Sequence, residues 1–167
     1  KQNIIVGLAN FNPSEYAGID LKINGQKLFT RLSKLAPSIK RVYWVTVPGH
    51  DSVKISTTQL PVSPSFKVIH ETDLINAIRH VVKLIESASP SDAILVPPYL
   101  SNDIFYKISE LAWDKKVVLL STNFYHLENG ALMVFYPDEF ELGVQLGKLA
   151  ITPLPGDFPL LSLKSAL

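Results

Sequence analysis

The residues best suited to move a proton or hold a metal near neutral pH are the four histidines, His50, His70, His80 and His126. Their spacing contains no H-x-x-x-H pair and so gives no ligand frame for a metal. His80 reads as the solvated edge of a helix and His70 as the end of a strand. His50 and His126 fall in loops after strands, where a pocket is within reach, but a structural or solvent role is the first reading. There is no cysteine, which removes disulfides, thiolate zinc sites and a Cys nucleophile. Absent too are the G-x-S-x-G elbow, the G-x-G-x-x-G turn and the G-x-x-x-x-G-K-S/T loop, which counts against serine hydrolysis, dinucleotide binding and P-loop chemistry. After the first apolar run comes Ala9-Asn10-Phe11, without the acidic cluster that a response-regulator receiver needs. The expectation is a protein that is not an enzyme and uses no cofactor and no metal.

The chemistry left is recognition. Pro48-Gly49-His50-Asp51-Ser52, Pro97-Pro98-Tyr99-Leu100-Ser101-Asn102 and Ser121-Thr122-Asn123-Phe124-Tyr125 each follow an apolar run. They mix aromatic rings, which give contact at small entropy cost, with neutral groups that fix orientation. The alternative for any one of them is structural: Tyr99 and Phe124 plug loops, and Ser101 caps a helix.

The elements that must hold these segments follow from pattern. Ile4 to Leu8, Val42 to Val47, Ala93 to Val96, Val117 to Leu120 and Ala131 to Tyr136 are continuous apolar runs without alternation, as in strands covered on both faces; Phe66 to His70 is weaker. Gly25–Leu35, Asp73–Glu86, Asn102–Asp114 and Asp138–Ala150 carry helical periodicity, with Thr72 as the expected cap of the second and Ser101 or Asn102 of the third. Asp138 and Glu141 form an Asp-x-x-Glu capping-box variant. Strand and helix in alternation predict an α/β fold, an open, mostly parallel sheet with helices on both faces. Such sheets place ligands at the carboxyl ends of their strands, where the three segments fall. Residues 48–65, with three prolines and no helical face, read as a loop or irregular extended segment. Residues 121–130 are too few for a crossover helix, so the strand at Ala131 is expected to pair antiparallel or to belong to another part of the structure.

Composition sets the outer limits. Of 167 residues 47% are hydrophobic and 19% charged, which excludes a disordered chain. Sixteen basic against fifteen acidic residues leave +1, too balanced for an electrostatic nucleic-acid binder. No apolar run reaches the length of a membrane span. The start at Lys1 suggests a processed form or an excised piece.

From Asp92 onward the order of features resembles a known family. Asp92-Ala93-Ile94 leads to Val96-Pro97, and Lys116 to Ser121 forms a second strand. Glu128-Asn129-Gly130-Ala131-Leu132 makes a turn, and Asp138-Glu139-Phe140-Glu141-Leu142-Gly143 is followed by Gly147. Upstream, Leu35 to Val42 with Lys40-Arg41-Val42, and downstream Leu163-Lys164-Ser165-Ala166, fit the same order. Together these resemble the substrate-binding proteins of a broad group of ABC transporters with the bilobal type I periplasmic binding-protein fold, some of which bind aromatic amino acids. Tyr99 departs from the Asp or Asn usual at that tip, and the family's preceding lobe is missing. The resemblance implies the second lobe of such a protein, with residues 1–121 its core, 122–130 a hinge-like connection, and 131–167 a returning strand, helix and tail. It implies an extracytoplasmic, periplasmic or membrane-anchored solute-binding component of an ABC transporter that captures a small, amino-acid-like molecule in an interlobe cleft. The alternative is the ligand-sensing domain of a membrane receptor. His50, Asp51, Tyr99, Ser101, Thr122, Asn123, Phe124 and Asp138 would bind the ligand, although Asp138 is read first as the cap of its helix. The partners would be the small molecule and an ABC permease or receptor membrane subunit, with no nucleic acid. Gly143 and Gly147 are read as allowing close packing of the 138–150 helix, on its own sheet or in a homodimer.

Overall fold

The computed structural model of the chain describes residues 5–8, 17–49, 53–54, 64–151 and 160–162. The strands are β1 (Ile5–Leu8), β2 (Ala17–Asp20), β3 (Ile23–Asn24), β4 (Arg41–Thr46), β5 (Val53–Lys54), β6 (Ser65–His70), β7 (Asp92–Leu95), β8 (Val118–Ser121), β9 (Met133–Val134) and β10 (Leu160–Ser162). The helices are α1 (Gly25–Leu35), α2 (Leu74–Ser87), α3 (Asn102–Asp114) and α4 (Glu139–Ile151). Two compact units result, residues 24–135 and residues 1–23 with 136–167. The chain passes between them at 23–24 and 135–136, and the 122–130 segment lies within the larger one.

The larger unit is built on a five-stranded parallel sheet in the order β6-β4-β7-β8-β9. All four residues of β7 are buried, which is why its run shows no polar alternation. Asn24 starts α1 by accepting the Gln26 and Lys27 backbone N–H groups at 2.9 and 3.3 Å. The helix buries Leu28, Phe29 and Leu32. Phe29 meets Phe66 edge-on at 4.7 Å, and Phe66 lies opposite Val42 in the β4–β6 register, so α1 covers that face of the sheet. The steps β6 to β7 and β7 to β8 run the same way across the sheet, and right-handed crossovers place α2 and α3 together on one face, where they pack side by side. Asp73, not Thr72, caps α2: its carboxylate accepts the Asn76 N–H at 2.9 Å, while the Thr72 hydroxyl donates to that carboxylate.

At the amino ends of β4 and β7, Arg41 grips Asp92 through Nε and Nη2 at 3.0 and 2.9 Å, and the Ser89 N–H adds a third bond at 2.9 Å. Burial alone would raise the Asp92 carboxyl, but these partners hold it below the ordinary carboxylate value. Two segments of the family-like pattern, Lys40-Arg41-Val42 and Asp92-Ala93-Ile94, are thereby each other's structural partners.

The strand after residue 130 is neither antiparallel nor elsewhere. β9 pairs parallel with β8, Leu120 opposite Met133 and Ser121 opposite Val134. A single 3-10 turn, Phe124–His126, does the work of a crossover helix, because buried His126 folds the chain back.

The smaller unit holds a parallel three-stranded sheet, β1-β2-β10, with β2 in the middle. Helix α4 packs on β1 and β2 and buries Gln145 and Leu149. Asp138 caps it, Oδ1 accepting the Glu141 N–H at 3.0 Å. The Glu141 carboxylate turns to Gln145 Nε2 at 2.8 Å. The helix packs on its own sheet as expected, but not through Gly143 and Gly147: both are exposed, and a Cβ at either would meet nothing within 4 Å among the described residues. Among the same residues no helix is long and apolar enough to cross a membrane.

Candidate functional site at the strand tips of the larger unit

Because β4, β7 and β8 are parallel, the three segments that follow them gather at one end of the sheet. After β4 the chain reaches exposed Pro48 and Gly49, the latter at φ +83°. His50 and Asp51 lie outside the described residues. After β7, Val96 and Pro97 are buried, Pro98 and Tyr99 half-buried, Leu100 buried and Ser101 exposed. Ser101 occupies the cap position of α3 yet its hydroxyl makes no capping bond.

After β8 the chain forms a knot of hydrogen bonds around His126, which has no solvent exposure. Its Nε2 lies 3.1 Å from the Leu100 carbonyl, which only accepts, so Nε2 carries the proton. Nδ1 then accepts from the Ser121 hydroxyl at 2.7 Å, and that oxygen accepts the Asn123 N–H at 3.0 Å. Phe105 of α3 stacks on the imidazole at 4.0 Å and 8°. Burial lowers the His126 pKa below the ordinary histidine value, with the Leu100 carbonyl opposing. Such a ring is neutral and sealed, a lock rather than an acid or base.

Asn123 belongs to the same knot. Its Nδ2 donates to the Pro98 carbonyl at 2.7 Å and its Oδ1 accepts the Tyr125 N–H at 3.1 Å. The residue expected to bind ligand ties the β8 tip to the β7 tip. Around this framework lie half-buried Tyr99 and Thr122, exposed Ser101, and the side chains of Phe124 and Tyr125, 42% and 63% exposed with rings edge-on at 6.0 Å. Asp138 belongs to the smaller unit and caps α4. His80 is not merely solvated: its Nδ1 pairs with Glu71. Sequence reasoning missed the lock at His126. Its one local signal is the short spacing Ser121, Asn123, His126 after a strand; Leu100 carries none.

Among the described residues the rim is therefore aromatic and uncharged, and no group of three His, Cys, Asp or Glu is placed there to hold a metal. Two open concavities of the larger unit lie elsewhere, along α3. One of about 690 Å³ is lined by Tyr106, Glu110, Trp113 and Glu128, the other of about 600 Å³ by Trp113, Val118 and Leu132.

No protein-family model and no curated protein matches the chain. Solved structures do. The ABC domain from Streptococcus pneumonia in complex with L-Trp superposes with a TM-score of 0.65 at 16% identity, over 93% of this chain and 58% of that one. A conserved domain protein from Vibrio cholerae O1 biovar El Tor strain N16961 gives 0.62 at 14%, over 91% and 54%. At these identities the likeness is one of fold. The chain spans a little over half the length of the structures it matches.

Proposed function

We propose that the chain is part of an extracytoplasmic solute-binding protein of an ABC transporter, whose strand tips form one wall of a site for a small, amino-acid-like molecule. The role is capture without turnover, ahead of delivery to a membrane permease. The observation that carries this reading is the rim itself: aromatic rings and hydroxyls at the carboxyl ends of β7 and β8, held by the Asn123 and His126 bonds. The same fold carries L-Trp in the streptococcal structure, which supports an aromatic amino acid as the first ligand to try. Tyr99 and Phe124 would cover an apolar side chain, while Ser101 and Thr122 would orient its polar end.

Isothermal titration of the chain with L-tryptophan, L-phenylalanine and a panel of other amino acids tests the reading. Saturable heat that weakens at least severalfold in Tyr99→Ala and Phe124→Ala is expected. If no amino acid binds, or if both variants bind as the parent does, the reading is wrong.

A further inference from the structure

Charge is segregated along this chain. Residues 21–70 carry eight lysines and arginines and a single acidic residue, Asp51, whereas residues 71–167 carry seven basic and twelve acidic ones. Helix α1 concentrates the basic surplus. Lys27, Arg31 and Lys34 recur at helical spacing, so they share one stripe, and all three are exposed. No acidic residue lies in the helix. Beside Lys34, Leu35 is 71% exposed, and exposed Lys40 follows in the next turn of chain.

We propose that the outer face of α1 is a docking surface for an anionic lipid bilayer. The remaining large apolar side chains of α1 point into the core, at Leu28, Phe29 and Leu32. Protein interfaces draw most of their energy from buried anchors seated in pockets. The stripe has no such anchor, and neither concavity along α3 includes an α1 residue. A bilayer asks for less: a cluster of basic side chains close to an anionic surface is held by charge, with each Lys or Arg contributing about fivefold in affinity. Leu35, at the end of the stripe, can enter the headgroup region. The proposal holds whether or not the chain binds a solute.

Co-flotation of the chain with phosphatidylcholine vesicles, with and without phosphatidylglycerol, tests it. Binding is expected only to the anionic vesicles, falling as salt rises. Lys27→Glu/Arg31→Glu/Lys34→Glu should lose more than about a hundredfold in affinity, since removing three charges costs about fivefold each before the added repulsion. The charge-matched variant Lys83→Glu/Lys107→Glu/Lys115→Glu, also at exposed sites, should lose far less. The corresponding Lys27→Ala/Arg31→Ala/Lys34→Ala variant, checked by circular dichroism, guards against a folding defect. Equal binding to neutral vesicles, no binding to anionic ones at low salt, or equal losses in the two reversed variants would each overturn the proposal. If the chain ignored vesicles but bound polyglutamate through α1, the face would serve an acidic polypeptide and the proposal would fail.

Discussion

His126 makes two hydrogen bonds from a ring shut off from solvent, so its proton affinity is coupled to folding. Burial holds its folded pKa below the ordinary 6.5. As pH falls through 6.5 the unfolded chain takes up the proton and the folded chain does not, so the histidine withdraws stability from there downward. His126→Phe keeps an aromatic partner for Phe105 but leaves the Ser121 hydroxyl and Leu100 carbonyl without the imidazole. It should cost about 2 kcal/mol at pH well above 6.5. Urea melts at several pH values should show the gap between variant and parent narrowing below 6.5; a gap independent of pH would refute the assignment. Asp92 has the same sign at lower pH. Its depressed pKa means stability is present above 3.8 and is lost as pH falls through the folded value. Asp92→Asn should lower the unfolding free energy from urea melts near neutral pH by about 2 kcal/mol, because the charge-assisted Arg41 fork is lost. Its acid limb below 3.8 should also be shallower than the parent's.

Glycines separate two kinds of element in this molecule. Gly130 has φ +105°, and a Cβ there would stand 3.0 Å from both Cβ and Oγ of Ser109 on α3. Gly130→Ala should therefore destabilise the larger unit by about 1–3 kcal/mol, the range for a strained backbone. That gives the Gly-Ala-Leu part of the family-like pattern a steric reason. Gly143 and Gly147 lie in open helical positions, so Gly143→Ala and Gly147→Ala should each stabilise α4 by about 1 kcal/mol. Thermal melts of the three variants would decide, and a loss at Gly143 or Gly147 would point to a neighbour the described residues do not include. The bounds of α1 and α3 were legible because an Asn or Ser precedes a clean amphipathic repeat. The central parallel strands were legible because burial on both faces leaves no polar alternation. The pairing of β9 was not, since two residues carry no register and a histidine buried from afar sets the path. Nor was the use of Asn123: its partner is a backbone carbonyl at Pro98, and a carbonyl has no sequence signature. Strand β2, Ala-Gly-Ile-Asp, has no continuous apolar run to mark it, and β10 has only three residues.

At the scale of the molecule, the two units differ in how the chain supplies them. The larger is one uninterrupted stretch, 24–135, with its own sheet, helices and core. Expressed alone it should unfold in a single cooperative transition, and a non-cooperative melt would show that it depends on the rest. The smaller is assembled from both ends, with β2 held between β1 from the start and β10 from the finish. That difference sets an order of events during synthesis. The stretch 24–135 is complete on the ribosome before β10 has been made, so it can fold as it emerges. The first strands must wait with the β10 side of β2 bare until residues 160–162 have been made. An edge left open is where chains join one another. A translation stall or truncation after residue 135 would thus leave a well-folded body carrying an adhesive β1–β2 pair, for which β10 is the cover.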